Sequence, residues 1–466
     1  MAGRAEKRAD GNAYETAGAG SSRPALLLRY DRFNRYSLLA LLAGLETCPA
    51  LDSIPVFWTD PRRNGSMISV LDEYLDAYDE IILCYSFMTF QWPVVRQEIL
   101  SLARYSLRER VTVIAGGPHP SGAPRRTLEA GFDAVCVGEG DLLFPRFVLA
   151  RSGAGRLEDI PGLYVRSGTG FLFTGKGEPS ALGDIPPFPF TQAKFGPIEI
   201  TRGCPFGCKY CQTPVFKGKK VRHRPLHSIF EAVERLVETD RVDIRFITPN
   251  ALAYGSNDGR QVNRHAVELL LKGIRDRLPE RGRIFFGSFP SEVRPDFVDR
   301  QTADLMQAFC DNKRVVIGAQ SGNPDMLLKM RRGHDPDDVR RACRILVERG
   351  FQPVVDFILG LPGETPRQMS DTLTFMEELA GEGVRLHAHA FMPLPGSPWA
   401  GLNPTPIPAG IRRNLEWMAS QGSLFGQWQT HEKMLTRWIS GRKNMEGGLP
   451  AGAVLRSNRA ESHDPD

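Results

Sequence analysis

Twice along this chain a series of short apolar runs alternates with longer amphipathic stretches, and that rhythm restricts the architectures open to it. The first series is ALLLRY (25–30), IPVFWT (54–59), EIILCYS (80–86), RVTVIAGG (110–117) and FDAVCVGEG (132–140). Stretches such as PVVRQEILSLARYSL (93–107), where Val94, Ile99, Leu102 and Leu107 roughly share a helical face, separate the runs. Five strands alternating with helices predict a parallel sheet covered on both faces, a doubly wound α/β domain over residues 24–155. Ligands of such sheets bind beyond the carboxyl ends of the strands. Two of those ends are glycine-rich, GGPHPSG (116–122) and GEGD (138–141), where bare backbone can approach a bulky ligand.

Residues 156–195 break the rhythm. RSGTGFLFTGKGEPS (166–180) reads as a hairpin and DIPPFPF (184–190) is too proline-rich for a regular element, so a linker is expected. The second series follows: IEIT (198–201), DIRFIT (243–248), IFFGS (284–288), VVIGAQ (315–320), PVVDFILG (353–360) and VRLHAHAF (384–391). Six strands with five intervening helices predict a partial (β/α)6 barrel over residues 196–400, with its chemistry at the carboxyl ends of the strands. A helical extension is expected over 401–442, its helix near Ile411 to Gln421. Residues 1–23 and 443–466 read as a disordered leader and tail.

Hydrophobic residues at 41% and charged residues at 24% are ordinary globular usage, and no apolar run approaches bilayer length, so a soluble, cytoplasmic protein is expected. A net charge of +5 from 59 basic and 54 acidic residues is too small to mark a nucleic-acid binder. The one local basic run, KGKKVRHR (217–224), reads as a solvated loop.

Eight cysteines in 466 residues are too few for a disulfide scaffold, and three of them, Cys204, Cys208 and Cys211, crowd into TRGCPFGCKYCQTP (201–214) just past the first strand of the second series. Thiolates are soft ligands, so on spacing alone an iron–sulfur cluster and a zinc ion are both open; zinc would need a fourth ligand, for which His223 is the candidate. Three thiolates on a cubane cluster leave one iron without a protein ligand.

This cysteine pattern after the first strand of a six-stranded barrel resembles the radical SAM superfamily. There the amino and carboxylate groups of S-adenosylmethionine (SAM) chelate the open iron of a 4Fe-4S cluster, and reductive cleavage yields a 5'-deoxyadenosyl radical. Further segments match in order. VVIGAQSGNPDMLLKMRRGH (315–334) is similar to the family's fourth-strand segment, implying Gln320, Ser321 and Arg332 as SAM contacts, with the Arg332 fork on the carboxylate. SFPSEVRPDFV (288–298) resembles the third-strand end near the ribose, implying Ser288, and DFILGLPGET (356–365) the motif beside adenine, implying Asp356. MPLPGSP (392–398) resembles the last-strand turn. The glycine-rich motif after the second strand is replaced by TPNALAYG (248–255), with Asn250 as the candidate contact to the methionine part. These matches favour the cluster over a non-enzymatic zinc module.

A doubly wound domain ahead of such a barrel resembles the cobalamin-binding group of radical SAM enzymes. The resemblance implies cobalamin near Gly116, Gly117, His119, Gly138, Glu139 and Gly140. The Asp-x-His-x-x-Gly signature is absent after the first strand, since LLRYDRFNRYSL (27–38) has no histidine, so cobalamin is expected to bind without a histidine from that signature. A methylthiotransferase has a similar layout and would carry three more cysteines in the first domain; Cys48, Cys84 and Cys136 read instead as core thiols. The resemblance therefore implies a cobalamin-dependent radical SAM methylase of an unactivated carbon or phosphorus centre, with radical rearrangement, cyclisation or oxidation on a scaffold-only first domain as the alternative. Tyr254, His387 and His389 are candidate contacts to an unknown small-molecule or peptide substrate, and a flavodoxin or ferredoxin is the expected electron donor.

Overall fold

The computed structural model describes residues 24–168 and 170–435. The leader 1–23, the end of the helical extension (436–442) and the tail 443–466 lie outside the described residues. The first five strands are β1 (Pro24–Arg29), β2 (Val56–Thr59), β3 (Glu80–Ser86), β4 (Val111–Gly116) and β5 (Ala134–Cys136), parallel in the order β2-β1-β3-β4-β5. Helices cover both faces, so neighbouring residues bury in opposite directions. Ala25 and Leu27 join one core and Leu26 and Leu28 the other; Leu83 and Cys84 divide the same way. In the helix Trp92–Leu102 the buried face is Val95, Ile99 and Leu102, while Val94, expected on that face, is exposed. The expected hairpin forms as β6 (Leu163–Ser167) and β7 (Gly170–Phe173), but it is no free linker: β6 pairs antiparallel with β5 and carries the first sheet past residue 155.

The second unit is a partial barrel. It begins with β8 (Ile198–Glu199), beyond which a short antiparallel pair, β9 (Thr201–Arg202) and β10 (Arg222–His223), flanks the cysteine loop. β11 (Asp243–Ile247) pairs in parallel with β8 and with β12 (Arg283–Phe285). β13 (Arg314–Gln320), β14 (Gln352–Leu359) and β15 (Arg385–Ala390) form the other half, and bridges Thr248–Ser291 and Val293–Ile317 connect the halves. A seventh short strand, β16 (Leu424–Phe425), pairs with β15; a two-residue strand has no periodicity to announce it. The helix of the extension is Ala409–Ser420 and buries Leu415 and Met418 in the barrel core. Among the described residues no helix is long and apolar enough to cross a membrane.

Charge and backbone contacts join the two units. Arg202 Nη1 donates to Glu139 at 2.9 Å and to Asp141 at 2.6 Å, both in the GEGD segment, while Arg222 donates to Glu139 at 3.0 Å. Gln212 Nε2 donates to the carbonyls of Pro118 in the first unit and Pro395 in the last barrel turn. Gly122 is the point of closest approach, since a Cβ there would lie 2.1 Å from the Pro395 carbonyl oxygen. The basic run at 217–224 is therefore only partly a solvated loop. Lys219 and Lys220 are exposed, but Arg222 serves the interface, and Arg224, buried, donates to the linker carbonyls of Leu182 and Ile185.

Burial raises the pKa of Glu139, but the hydrogen bond from Arg222 and the charge of Arg202 outweigh it and hold the carboxyl at about 2. Asp141 is lowered in the same way, its burial overcome by Arg202. A folded-state pKa below the unfolded one gives stability that is present above about pH 5 and is lost as pH falls towards the folded value. Glu139→Gln is therefore expected to lower the thermal midpoint at pH 7 and to flatten its decline on acidification; a variant that keeps the wild-type acid profile would show that Glu139 does not carry this linkage.

Candidate functional site

Two cavities lie at the carboxyl ends of the two sheets and share Tyr210, Cys211, Thr213 and Leu394 as a common wall. The larger, about 1150 Å³, fills the barrel mouth and is lined by Cys204, Cys208 and Cys211. Of the six SAM candidates it contains Asn250, Gln320, Arg332 and Asp356 but neither Ser288 nor Ser321. Ser321 is fully buried, with its hydroxyl on Thr372 Oγ1 at 3.1 Å and accepting from the Asn323 backbone, so it holds the turn after β13. The Ser288 hydroxyl is buried and has no partner among the described residues.

The cysteine loop does not offer a zinc ion a closed set of ligands. Among the described residues no three His, Cys, Asp or Glu side chains converge on one ion. His223, the fourth ligand that zinc would need, is already committed, Nδ1 to the Thr201 hydroxyl and Nε2 to the Ser256 carbonyl, both at 2.9 Å. Burial pushes the Cys204 thiol up to about 11. Arg332 reaches this loop and is no surface residue. Its Nη1 lies 3.9 Å from Cys208 Sγ, while Nε and Nη2 donate to His334 Nε2 (3.0 Å) and the Gly318 carbonyl (2.6 Å). Burial disfavours its charge, but Tyr210, Cys208 and Glu292 outweigh that and raise its pKa.

The sequence reading missed Glu292 and Arg294, which line the cavity within the quoted SFPSEVRPDFV segment. Arg294 is ion-paired with Asp296 at 3.0 Å and lies over the Phe206 ring at 3.6 Å; among the described residues its Nη1 and the Asn250 amide nitrogen have no partner, although the Asn250 oxygen accepts from the Arg294 backbone. Two buried donors without acceptors in the cavity wall suit a ligand that carries a carboxylate. Across the cavity, His387 Nδ1 donates to Asp356 at 2.9 Å, with His389 4.3 Å away ring to ring and His431 stacked on His389 at 5.4 Å. His431 comes from the extension, and nothing in its sequence context marked it. Tyr254 is not in the wall: it is buried, donating its hydroxyl to the Arg224 carbonyl.

The smaller cavity, about 430 Å³, lies between the units. Its first-domain wall carries small residues, Ser37, Ala40, Gly116, Gly117, Ser121, Gly138 and Gly140, and the barrel supplies Gln212, Phe216 and Lys217 opposite. Gly117 has φ +92, and a Cβ there would meet Phe87 N and Ser86 Oγ at 3.0 Å, so glycine is required. Leu41, Tyr85, Ile114 and Phe144 make the rest of that wall apolar, and such a slot suits a broad, flat macrocycle. Two cobalamin candidates are outside it. Glu139 is spent on the arginines of the interface. His119 is buried against Trp92 and within 3.3 Å of Thr89 Oγ1, where burial pushes it down to about 3.

Comparison with known proteins matches residues 198–376 to the radical SAM superfamily and residues 71–148 to the B12 binding domain. The two matches together make the domain pair of the cobalamin-binding radical SAM group. Two structures similar to this one, the radical SAM methyltransferase TsrM from Kitasatospora setae with cobalamin and a [4Fe-4S] cluster bound (TM-score 0.63, 18% identity, 81% of this chain and 74% of that one) and the cobalamin-dependent SAM radical enzyme OxsB (0.60, 15%, 76% and 52%), share the two-unit fold. Among curated relatives, an uncharacterised methyltransferase of Pyrococcus horikoshii is 27% identical over 59% of each chain. A tRNA-2-methylthio-N(6)-dimethylallyladenosine synthase of Chlorobium limicola is 27% identical over 48% of each. An uncharacterised protein of Methanopyrus kandleri is 24% identical over 65% of this chain and 64% of its own. The chain thus spans about half to two thirds of these relatives' length.

In the radical SAM barrel, burial and the neighbouring His387 push His389 down to about 4, so it is neutral at physiological pH. Its imidazole is expected to show no titration between about pH 5 and 8 in histidine-labelled NMR; a midpoint near the unperturbed value would contradict the packing described.

Proposed function

We propose that this protein is a cobalamin-dependent radical SAM methyltransferase acting on an unactivated centre. The observation that carries the reading is the shared wall. The slot of the B12-binding-type domain and the cysteine-lined barrel cavity meet at Tyr210, Cys211, Thr213 and Leu394, so a methyl carrier in one would face a substrate in the other. When bound, the cluster would supply the electron that cleaves SAM, and cobalamin the methyl group. Cys204, Cys208 and Cys211 would hold the cluster through three irons. Arg332 would stand beside Cys208 and fix the charge around the loop. Asn250 and Arg294, with their unpaired nitrogens, would bind the polar end of SAM, and Gln320 would contact it from the end of β13. Gly116, Gly117, Gly138 and Gly140 would let the corrin ring approach backbone, with no histidine from the 116–122 segment below it, because His119 points into the core. His387, held by Asp356, and His389 form the opposite wall, where the substrate would lie. A soluble protein working with a small-molecule or peptide substrate in the cytoplasm is consistent with all of this.

Methylthio transfer, implied by the name of the Chlorobium limicola relative, is not favoured. Cys84 and Cys136 are buried within β3 and β5, Cys48 follows a helix, and burial raises both strand thiols. Anaerobic incubation with SAM, reductant and cobalamin is expected to give both 5'-deoxyadenosine and S-adenosylhomocysteine, the first reporting radical formation and the second methyl transfer. Alanine at Cys204, Cys208 or Cys211 should abolish 5'-deoxyadenosine. Deoxyadenosine without S-adenosylhomocysteine, together with no change in the cobalamin spectrum on titration, would replace methylation by rearrangement or oxidation; SAM cleavage in a cysteine variant would break the cluster assignment.

A further inference from the structure

We propose that the outer face of the cysteine loop is the docking surface for a small acidic electron-transfer protein, received by Lys219, Lys220, Arg260 and Arg331. The inference rests on the reading of Cys204, Cys208 and Cys211 as cluster ligands. Three separate segments bring these cations to the loop. The Gly218 carbonyl accepts from Cys204 N at 3.0 Å, which sets the Lys219–Lys220 tip beside the first cysteine. Arg260 donates to the Pro205 carbonyl at 3.0 Å and lies 5.4 Å from the Phe206 ring. Arg331, with φ +58, places its carbonyl 3.8 Å from Cys208 Sγ.

All four residues are exposed, and among the described residues none of the four side chains has an ion-pair partner, whereas arginines elsewhere on the barrel, such as Arg277, Arg283 and Arg340, are paired with carboxylates. The acidic neighbour, Asp258, spends its carboxylate on the Arg260 backbone and the Ser256 hydroxyl. Asp258 keeps its charge, but the four cations outnumber it, so this face is net positive although the chain as a whole carries only +5, and such a patch steers an acidic partner. The face is also open. A Cβ on Gly207 would meet nothing within 4 Å, so among the described residues no other segment covers the loop there. Leu328, joined to Arg331 by a backbone hydrogen bond of 2.9 Å, is 79% exposed. An apolar residue flanked by unpaired cations suits a small, transient interface better than a permanent one.

The opposite side of the same loop lines the barrel cavity, where SAM and substrate would sit, so donor and substrate approach from different directions. With a flavodoxin as donor the step is balanced: the flavin hydroquinone anion gives one electron and becomes the neutral semiquinone, and the cluster passes from its 2+ to its 1+ state, with no proton or atom transferred.

The test uses cluster-loaded full-length protein, an acidic flavodoxin in its hydroquinone form, and reduced methyl viologen, a small cation, as the second reductant. Loss of the cluster's visible absorption is followed by anaerobic stopped flow, and affinity for oxidised flavodoxin by isothermal titration. For the triple variant Lys219→Glu, Lys220→Glu and Arg331→Glu, reduction by flavodoxin is expected to slow by about tenfold or more, with weaker binding, while reduction by methyl viologen is not slowed. The wild-type rate with flavodoxin should fall as salt is added. The corresponding glutamine variants should lie between. Unchanged flavodoxin rate and affinity, or equal slowing with both reductants, would overturn the proposal. A protein that takes up no cluster at all would instead overturn the assignment of the cysteines, before any donor is added.

Discussion

The buried ion network of Arg202 with Glu139 and Asp141 is the interaction on which the rest of the arrangement depends. Arg202 sits two residues before Cys204, and its two acidic partners sit at the end of the last parallel strand of the first sheet. Desolvating three charges is costly unless each finds good partners, and here Glu199 and Arg222 complete the set. Because so many charges must be satisfied together, the two units have one relative position in which the network closes. That position places the cysteine loop across the strand ends of the first sheet.

Gln212 then fixes the loop at a finer scale. Its amide nitrogen reaches the Pro118 carbonyl on one side and the Pro395 carbonyl on the other, one residue after Cys211. With Gly122 against Pro395, there is room for neither a side chain nor a water layer at this contact. The common wall of the two cavities is a consequence: Cys211 and Thr213 flank Gln212 in the chain, so what holds the loop also separates the cavities. The outward side of the same loop carries exposed cations. One short stretch of chain thus presents three environments, a barrel cavity, an interdomain slot and a positive surface.

Much of this was legible in the sequence. The parallel strands of both units bury apolar runs on each face, so they stand out as contiguous stretches, and the cysteine spacing is local. Asn250, Gln320, Arg332 and Asp356 were reached through short segments at strand ends, and the barrel does bring these to one cavity. Ser321 was misplaced because its segment sets the backbone course but not which side of the turn the hydroxyl faces; Thr372, fifty-one residues away, decides that. Glu139 stands in a glycine-rich turn at a strand end, but its partners, Arg202 and Arg222, lie in the other unit. His119 was drawn in by a His-x-x-Gly spacing, yet Trp92 and Phe87 hold its ring in the core.

Fold class, the order of the two units and the candidate cluster loop follow from the sequence by itself, because each depends on periodicity or on spacing within a few residues. Which polar side chains face a cavity, which are spent on the interface, and that the histidines 387, 389 and 431 share one wall were decided by tertiary structure alone. The physical reason is that a polar residue satisfies its hydrogen bonds with whatever the fold brings near, and those partners here stand tens of residues away along the chain.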